Sequence, residues 1–453
     1  MIGPARQAAH AILRAIHSRP LDVATALERE RGRLLDERDR ALATEIVLGT
    51  LRWQAALDHL IAWAGHRTVD RFDSDVLDVL RAGAYQLLHL HRVPDAAVVN
   101  DAVSLTKAIG RRSAAGAVNA VLRTLARNRH RLPLPGPGDG LEYLAVTLSH
   151  PRWLVERWVR RMGFDRTLAW ATFNNSTPPV TLRANRLCTT RERLADALAA
   201  AGIHTEPTRY APDGLVVRSG LAGLAAALAP GAFVVQDEGS QIVAAYVAAA
   251  PGTRVLDACA APGSKATQFA ADMGNAGLLV AADLRPRRVR TLRTALHRAG
   301  ALTSVVRLDL EAGVPFGPVF DSVVVDAPCS SLGTIRRDPD VRWRRREGDL
   351  PSYAERQLRM LRVAAGAVRP GGVLVYSTCS SEPEENGAIV DMFLGVSPAF
   401  DLDDPRRTRF GVPASVHACL DERGCLQTEP DRHAVEPFFA ARLRRRGTAT
   451  AVM

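Results

Sequence analysis

Two cysteines in the C-terminal half of the chain stand in short polar loops, each directly after an apolar segment. The first loop reads Asp326-Ala-Pro-Cys329-Ser-Ser-Leu-Gly333, and the second reads Tyr376-Ser-Thr-Cys379-Ser. A single free cysteine is usually a small buried hydrophobic residue. Two thiols in such loops, with the carboxyl group of Asp326 close to the first, instead favour covalent chemistry by a nucleophilic sulfur.

A reaction that needs this combination is methylation at C5 of cytosine. C5 becomes nucleophilic only after an addition at C6, and a thiolate can make that addition. A carboxyl group near N3 stabilises the adduct, and a base must then remove the C5 proton so that the thiol can leave. Methylation of an exocyclic amine or of a ribose hydroxyl needs no covalent adduct and gives a thiol pair no role.

The elements that must position these residues are β-strands that alternate with helices from Gly252 onwards. This alternation is typical of a parallel α/β sheet, in which ligands bind beyond the carboxyl ends of the strands. A helix is predicted over Ser352–Val368, closed by Pro370-Gly371-Gly372. The predicted strands are Thr253–Ala258, Gly277–Asp283, Ser304–Asp309, Phe320–Ala327 and Val373–Cys379.

The first of these strands runs into a loop of small residues, Asp257-Ala-Cys-Ala-Ala-Pro-Gly-Ser-Lys265. Its backbone N–H groups can approach a ligand closely, although it is neither GxxxxGK[ST] nor GxGxxG. Asp283 ends the second strand, where an acid commonly accepts hydrogen bonds from ribose hydroxyls, and Asp309 ends the third. A lone aspartate is more often a turn residue, but three at one sheet edge favour a nucleoside ligand.

Two segments precede this sheet. Residues 4–132 are predicted to be all helical, because apolar residues recur at spacings of three and four up to a linker rich in proline and glycine. Residues 141–235 are predicted to form a mixed α+β module, with strands at Val180–Asn185 and Gly214–Arg218. Thr189 and Glu192 resemble a capping box that opens a helix through Ala201. This module is either an RNA-docking element or structural support.

The composition restricts the class of protein. Of 453 residues, 47% are hydrophobic and 24% are charged, which is typical of a globular protein, and the net charge of +11 favours nucleic acid as partner. No stretch reaches the roughly 18 uncharged apolar residues of a membrane helix. The six scattered cysteines predict a reducing, cytoplasmic compartment and no disulfide framework. Cys419 and Cys425, with His417 and His433 nearby, fit no common zinc spacing, so no metal is predicted.

Three groups of arginines are open to more than one interpretation. The first group is either a solvated helix face or a phosphate-contacting surface, and the second, around Trp343, either contacts RNA or belongs to a loop anchored by the tryptophan. The third is interpreted as a solubilising tail. The groups are Arg111, Arg112, Arg123, Arg127, Arg129 and Arg131; then Arg336, Arg337, Arg342, Arg344, Arg345 and Arg346; then Arg442, Arg444, Arg445 and Arg446.

The loops Asp257–Lys265, Asp326–Gly333 and Tyr376–Ser381 resemble the signature loops of the RNA (cytosine-5) methyltransferases that use S-adenosylmethionine. Gln236–Gln241 resembles the leading motif of that family, and the helical segment around Gly116–Arg123 is similar to the RNA-binding domain of the antitermination factor NusB. The combination resembles the RsmB (Sun/Fmu) branch, which modifies small-subunit ribosomal RNA. The resemblance implies a NusB-like domain over 4–132, the α+β linker module over 141–235 and a Rossmann-like, mostly parallel methyltransferase domain over 236–446.

The resemblance also implies roles for individual residues. Cys379 matches the nucleophile, Cys329 matches the cysteine that assists product release, and Lys265 lies where the family has a lysine near the base. Asp326 would lie beside the target base and the methionine end of the cofactor. The cofactor would further contact the ribose-binding Asp283, the adenine-side Asp309 and the loop residues Cys259, Ala260, Ala261, Pro262, Gly263, Ser264 and Lys265.

Two positions depart from the family pattern. Ser264 replaces a second glycine, at which a positive φ would cost roughly 1 kcal/mol or more. Val435-Glu-Pro-Phe-Phe439 replaces Asp-Gly-Phe-Phe, which leaves open what the final strand contributes to the site.

The expected partner is 16S ribosomal RNA, with no DNA and no membrane, and the sequence indicates no oligomeric state. Three alternatives remain. The chain is a cytosine-5 methyltransferase of another RNA such as tRNA, an amino-group or small-molecule methyltransferase, or a non-catalytic RNA-binding factor. The loop Asp-Ala-Pro-Cys differs from the Asn/Asp-Pro-Pro-aromatic loop of amino methylation.

Overall fold

The computed structural model describes residues 2–18, 21–34, 36–224, 231–407 and 411–447. The chain divides into two compact units. The first comprises Met1–Thr177 and Ile335–Glu347, and the second comprises Pro178–Thr334 and Gly348–Met453. None of the described helices combines the length and the apolar character that crossing a membrane requires.

Within the described residues of the first unit, every regular element is a helix, as the sequence predicts for its N-terminal part. Besides short 3-10 turns and a π-helical segment at Tyr143–Thr147, it contains α1 Pro4–Ser18, α2 Val23–Arg31, α3 Glu37–Arg52, α4 Gln54–Gly65, α5 Ser74–His89, α6 Asp95–Ala108, α7 Ala115–Arg127, α8 Arg152–Met162, α9 Phe164–Asn175 and, from the inserted segment, α14 Val341–Arg344.

The predicted apolar stripes form the core of this unit. Val79 and Leu80 of α5 pack in one buried cluster with Val118 and Leu122 of α7, and burying each such side chain stabilises the fold by about 1.5–3 kcal/mol. Close approach of α3 and α5 requires a glycine, because a Cβ at Gly49 would lie 1.8 Å from a ring carbon of Tyr85.

The arginines of the first group are partly neutralised within this unit. Arg111 pairs with Asp73 and Asp75, and Arg129 pairs with Asp95. Their charges therefore stabilise the helical fold locally and are not all available to phosphate groups.

The segment Ile335–Glu347 follows the first cysteine loop in the sequence but belongs to the helical unit. Arg342 has no exposed surface and donates hydrogen bonds to the carbonyl oxygen of Ser149 at 2.8 Å and to Asn175 Oδ1 at 3.0 Å. The indole N–H of Trp343 donates to the carbonyl oxygen of Leu51 at 2.7 Å. The interpretation of Arg342 as an RNA contact is therefore wrong, because its side chain is buried and anchors the segment, and the hydrogen bond of Trp343 adds a second anchor.

The second unit contains all twelve strands of the described residues. Its strands are β1 Thr181–Ala184, β2 His204–Pro207, β3 Gly214–Ser219, β4 Phe233–Val235, β5 Arg254–Asp257, β6 Leu278–Asp283, β7 Ser304–Arg307, β8 Phe320–Asp326, β9 Val368–Thr378, β10 Phe400–Leu402, β11 Leu426–Gln427 and β12 Phe439–Arg445. Its helices are α10 Arg191–Ala200, α11 Glu238–Val247, α12 Ser264–Asp272, α13 Pro286–Arg298, α15 Leu350–Ala365, α16 Gly387–Val396 and α17 Pro430–His433.

The strands form two sheets. A small antiparallel sheet has the order β2-β3-β1-β4, and a larger sheet has the order β10-β12-β9-β8-β5-β6-β7, with β11 beside β12. The pairs among β5 to β9 are parallel, while β12 runs antiparallel to both β9 and β10. The predicted fold class, a mostly parallel Rossmann-like sheet preceded by an all-helical domain, is confirmed.

Two predicted boundaries are wrong. Pro370-Gly371-Gly372 does not close a helix but lies within β9, which starts at Val368 after α15 has ended at Ala365. A Cβ at Gly372 would lie 3.0 Å from the carbonyl oxygen of Phe320, so a glycine permits β8 to approach there. The cap of α10 is Thr190, not Thr189, since the Thr190 hydroxyl accepts the N–H of Arg193.

The C-terminal arginines do not form a solubilising tail. Arg442 is 5% exposed, lies within β12 and pairs with the buried carboxylate of Asp403 at 2.9 Å. Arg444 pairs with the same carboxylate at 2.9 Å. The tail interpretation is wrong because Arg442 and Arg444 lie on either side of Leu443 within a strand, and their guanidinium groups reach this carboxylate and backbone oxygens of neighbouring segments.

Candidate active site

The carboxyl ends of the parallel strands bring the predicted residues to one edge of the larger sheet. Asp257 ends β5, Asp283 ends β6 and Asp326 ends β8, while Cys379 immediately follows β9. Asp326 is in register with Ser377 of β9. The N–H of Ala258 donates to the carbonyl oxygen of Val324 and so continues the β5–β8 pairing into the loop.

The two cysteine loops lie against each other. The sulfur atoms of Cys329 and Cys379 are 3.4 Å apart. The N–H of Gly333 donates to the carbonyl oxygen of Cys379 at 2.9 Å, and a Cβ at Gly333 would lie 2.2 Å from the carbonyl oxygen of Pro437. The same Cβ would lie 2.8 Å from the carbonyl oxygen of Cys379, so glycine permits the first loop to pass this close to the second.

The two thiols differ in ionisation. The hydrogen bond from Cys329 lowers the pKa of Cys379, with help from Ser331 and from the charge of Lys265, although burial opposes this shift. The hydrogen bond to Cys379 raises the pKa of Cys329 well above its ordinary value, and burial raises it further. Of the two thiols, Cys379 is therefore the one that loses its proton more readily.

Lys265 and Asp326 form an ion pair beside the thiols. Lys265 Nζ lies 2.8 Å from Asp326 Oδ2, and the hydroxyl of Ser377 donates to Asp326 Oδ1 at 2.8 Å. Burial is the largest influence on Lys265 and lowers its pKa, but the charge and hydrogen bond of Asp326, together with the charges of Cys379 and Asp257, outweigh it, so the net shift is upward and Lys265 stays protonated. Its Nζ also lies 5.9 Å from the ring centre of Phe438, directly before β12, so the segment that departs from the family pattern does line this site.

Hydrogen bonds connect the small-residue loop from Cys259 to Lys265 with β6 and α13. The N–H of Ala260 donates to the carbonyl oxygen of Ala282 at 2.8 Å, and Arg288 donates to the carbonyl oxygen of Ala261. Gly263, after Pro262, adopts a φ of +115° and caps α12, which begins at Ser264. The backbone conformation that needs glycine therefore falls on Gly263, and Ser264 causes no strain.

The loop fits a ligand that carries hydrogen-bond donors. Asp257 is 1% exposed, and its Oδ1 has no hydrogen-bond partner among the described residues. Burial, with the nearby charge of Asp326, raises the pKa of Asp257 to about 7. S-adenosylmethionine offers an ammonium group, ribose hydroxyls and an adenine amino group, any of which could satisfy such an acceptor. Sequence reasoning noticed Asp257 at this edge but assigned it no role.

The remaining predicted residues lie in different surroundings. Asp283 is buried, accepts the N–H of Arg285 at 3.2 Å and pairs with Arg288 at 3.2 Å. Asp309 is exposed two residues beyond the end of β7 and accepts the N–H of Glu311 at 3.1 Å, which is a turn contact. Burial raises the pKa of Cys259, so this third cysteine stays a neutral thiol.

Sequence reasoning missed one buried carboxylate in contact with both cysteine loops. Glu385 follows the second loop and accepts hydrogen bonds from Ser330 and Ser380. The only sequence signal is the acidic run Glu382-Pro-Glu-Glu385, which does not distinguish a buried acid from an exposed one. Within the described part of the chain, no group of three or more histidine, cysteine, aspartate or glutamate side chains could hold a metal ion.

Comparison with known proteins identifies similar sequences along most of the chain. Residues 4–127 match the NusB family, and residues 150–222 match the ferredoxin-like domain of RsmF/B-like methyltransferases. Residues 244–444, which hold both cysteine loops, match the family described as 16S rRNA methyltransferase RsmB/F.

Individual relatives are similar over nearly the full length. The "Probable ribosomal RNA small subunit methyltransferase B" of Bacillus subtilis (strain 168) is 34% identical over 91% of this chain and 92% of its own. The "Ribosomal RNA small subunit methyltransferase B" of Pseudomonas putida is 34% identical over 82% of this chain and 84% of its own. The crystal structure of PH0851 superposes with a TM-score of 0.81 and 26% identity, covering 98% of this chain and 99% of that one.

Proposed function

The chain belongs to the RsmB/F family of 16S rRNA methyltransferases, and from that premise we propose that it methylates C5 of a cytosine in small-subunit ribosomal RNA, with S-adenosylmethionine as methyl donor. The observation that carries this proposal is the 3.4 Å approach of the Cys329 and Cys379 sulfur atoms. A thiolate beside a thiol suits a reaction that forms a sulfur–carbon bond and later breaks it.

Cys379 starts the proposed reaction. Its thiolate adds to C6 of the cytosine, which makes C5 nucleophilic. Lys265, held by Asp326, presents a positive charge to a ring that becomes more electron-rich on addition, and such charge stabilisation is strongest in a site that excludes water. S-adenosylmethionine, when bound, supplies the electrophilic methyl group that C5 takes up.

Cys329 completes the reaction in this proposal. Addition to C6 consumes the negative charge of Cys379, and this removes the main cause of the raised pKa of Cys329. Cys329 can then lose its proton to solvent and accept the C5 proton. The C6–sulfur bond breaks as the double bond re-forms, so Cys379 leaves as a thiolate and both thiols return to their starting states.

An RNA substrate is supported by the charge of α13. Between Asp283 and Asp309 the sequence contains no acidic residue, and α13 itself carries five arginines. Val289, Leu292 and Leu296 form its buried face. The opposite, exposed face presents a series of arginines suited to phosphate groups: Arg287, Arg290, Arg293 and Arg298.

Bisulfite mapping of ribosomal RNA from cells with and without the gene tests the proposal. We expect one cytosine of the small-subunit RNA to lose its methylation, and the purified protein to restore it with labelled S-adenosylmethionine. Because bacterial ribosomal RNA is cytoplasmic, we expect the activity in that compartment. An unchanged small-subunit RNA together with a changed tRNA would instead identify tRNA as the substrate.

A further inference from the structure

Glu385 accepts hydrogen bonds from both cysteine loops through a fully buried side chain. The backbone N–H of Ser330 donates to Oε1 at 2.8 Å, and the Ser330 hydroxyl donates to Oε2 at 2.5 Å. The hydroxyl of Ser380 donates to the same Oε2 at 2.5 Å. Ser330 and Ser380 are the immediate neighbours of the two site cysteines, so one carboxylate bridges the two loops.

Two further side chains fix Glu385 in place. Gln357 Nε2, from α15, donates to Glu385 Oε1 at 3.0 Å and to the carbonyl oxygen of Pro328 at 3.1 Å. The hydroxyl of Tyr376, on β9, lies 2.6 Å from the carbonyl oxygen of Glu385 and 3.0 Å from Gln357 Oε1. The carboxylate is thus connected to the body of the sheet and to the residue that precedes Cys329.

The hydrogen bonds to Glu385 come from neutral groups: one backbone N–H, two hydroxyls and one amide. Burying a carboxylate on neutral donors alone is unfavourable, and such a departure from the usual rules of burial is typical of functional sites. The negative charge of Glu385 also contributes to the raised pKa of Cys329, after the larger effects of Cys379 and of burial. It therefore helps to keep the proton on Cys329.

We propose that Glu385 is a positioning residue for methyl transfer, which sets the separation of the two sulfur atoms by holding both cysteine loops. Its link to catalysis rests on the proposed function. The effect of Glu385 on the separation of the two sulfur atoms is independent of the proposed function, and it can be measured without RNA or cofactor.

The rate at which Cys329 and Cys379 form a disulfide depends on the separation of their sulfur atoms. Diamide oxidises two neighbouring thiols: a sulfur–sulfur bond forms, and the two hydrogen atoms pass to diamide, which becomes a hydrazine. Mass spectrometry of digested full-length protein follows the formation of the linked Cys329–Cys379 peptide. We expect this peptide to form about tenfold more slowly in Glu385→Ala than in the wild-type protein. The rate of disulfide formation in Glu385→Gln should lie between those of the wild-type protein and Glu385→Ala, because the amide keeps one acceptor oxygen and loses the charge.

Asp403→Asn is the matched control, since it also neutralises a buried carboxylate but one that contacts Arg442 and Arg444 instead of the cysteine loops. It should lower the melting temperature and leave the closure rate unchanged. In a methyl-transfer assay, Glu385→Ala should lower kcat by about 10²-fold with the KM for RNA unchanged, as expected from misplaced reacting groups.

Closure at the wild-type rate in both Glu385 variants would overturn the proposal. So would slowed closure with an unchanged kcat, because positioning would then not matter for transfer. If Glu385→Ala does not fold, Glu385→Gln carries the same test. Slowed closure in a protein whose wild-type form methylates no RNA would refute the catalytic part and the proposed function together, and would leave Glu385 as the residue that sets the sulfur separation.

Discussion

The sulfur atoms of Cys329 and Cys379 lie 3.4 Å apart and share a hydrogen bond, which lowers the pKa of Cys379 and raises that of Cys329. The pair is held by backbone as well as side chains, because the N–H of Gly333 donates to the carbonyl oxygen of Cys379 at 2.9 Å. In the proposed reaction this asymmetry makes Cys379 the nucleophile and Cys329 its partner, and the first three predictions depend on it.

Cys379→Ala should abolish methyl transfer and leave S-adenosylmethionine binding intact, because the variant lacks the sulfur that adds to C6 and keeps the cofactor loop. Transfer of labelled methyl groups and calorimetric binding of the cofactor measure the two effects. Cys188→Ala is the control, since Cys188 is an exposed free cysteine. Transfer at the wild-type rate by Cys379→Ala would refute the assignment of the nucleophile.

Cys329→Ala should accumulate a covalent protein–RNA adduct, because Cys379 can still add to the base and nothing removes the C5 proton. A denaturing gel with labelled RNA detects the adduct as a band of reduced mobility. The double variant Cys329→Ala/Cys379→Ala should show no such band. An adduct that requires Cys329 and survives loss of Cys379 would mean that the two roles are exchanged.

The pH dependence of Cys379 alkylation should report the lowered pKa. Only the thiolate reacts with iodoacetamide, so the rate rises with pH around the pKa, and its midpoint should lie below that of an ordinary thiol. Cys329→Ala removes the hydrogen-bond donor, so the midpoint should move to higher pH. A midpoint that is the same in both proteins would show that Cys329 does not stabilise the thiolate.

The affinity for S-adenosylmethionine should increase as pH rises through 7. Burial raises the pKa of Asp257 to about 7, so below that pH the carboxyl group is protonated and a poorer acceptor for the ligand's donors. Below the pKa, the linked proton weakens binding by up to about tenfold per pH unit. Calorimetry at pH 6, 7 and 8 measures this, and Asp257→Asn should remove the dependence.

Asp272 provides the control for that experiment. Its pKa is also raised to about 7 by burial, but its carboxylate pairs with Arg186 rather than facing the cofactor loop. Asp272→Asn should therefore retain the pH dependence of cofactor affinity. If wild-type affinity does not change between pH 6 and 8, Asp257 is not the acceptor that the ligand meets.

Neutralising α13 should weaken RNA binding in a salt-dependent manner. In Arg290→Gln/Arg293→Gln/Arg298→Gln, the slope of log affinity against log salt should fall by about one for each lost phosphate contact. Arg356→Gln/Arg359→Gln is the control, since Arg356 and Arg359 pair with Glu311. Equal slopes in the wild-type protein and the α13 variant would exclude this face from RNA binding.

The sequence predicts the architecture and the thiol pair because both depend on local patterns. Alternating strands and helices favour a parallel sheet, and in such a sheet the loops after the strands share one edge, which places the loops of Cys329 and Cys379 on the same side. The end of α15 was misjudged because Pro-Gly-Gly commonly terminates helices. Here Gly372 instead permits the close approach of two strands.

Contacts between distant segments could not be predicted in this way. The burial of Arg342 depends on carbonyl and amide oxygens of Ser149 and Asn175, and that of Arg442 depends on Asp403. A guanidinium group is normally exposed, and the local sequence does not show that a distant segment supplies it with a buried hydrogen-bond acceptor. Glu385 was missed for the same reason, since its donors come from segments up to 55 residues away.

Because Ile335–Glu347 belongs to the helical unit, a fragment cut at the end of the N-terminal segment does not contain the whole unit. A fragment ending at Thr177 would lack Arg342 and Trp343, and the carbonyl oxygens of Ser149 and Leu51 would lose the donors they have in the intact chain. The helical unit is thus completed by a stretch encoded after Cys329, which a nascent chain receives only when four of the eight strands of the larger sheet have already been synthesised.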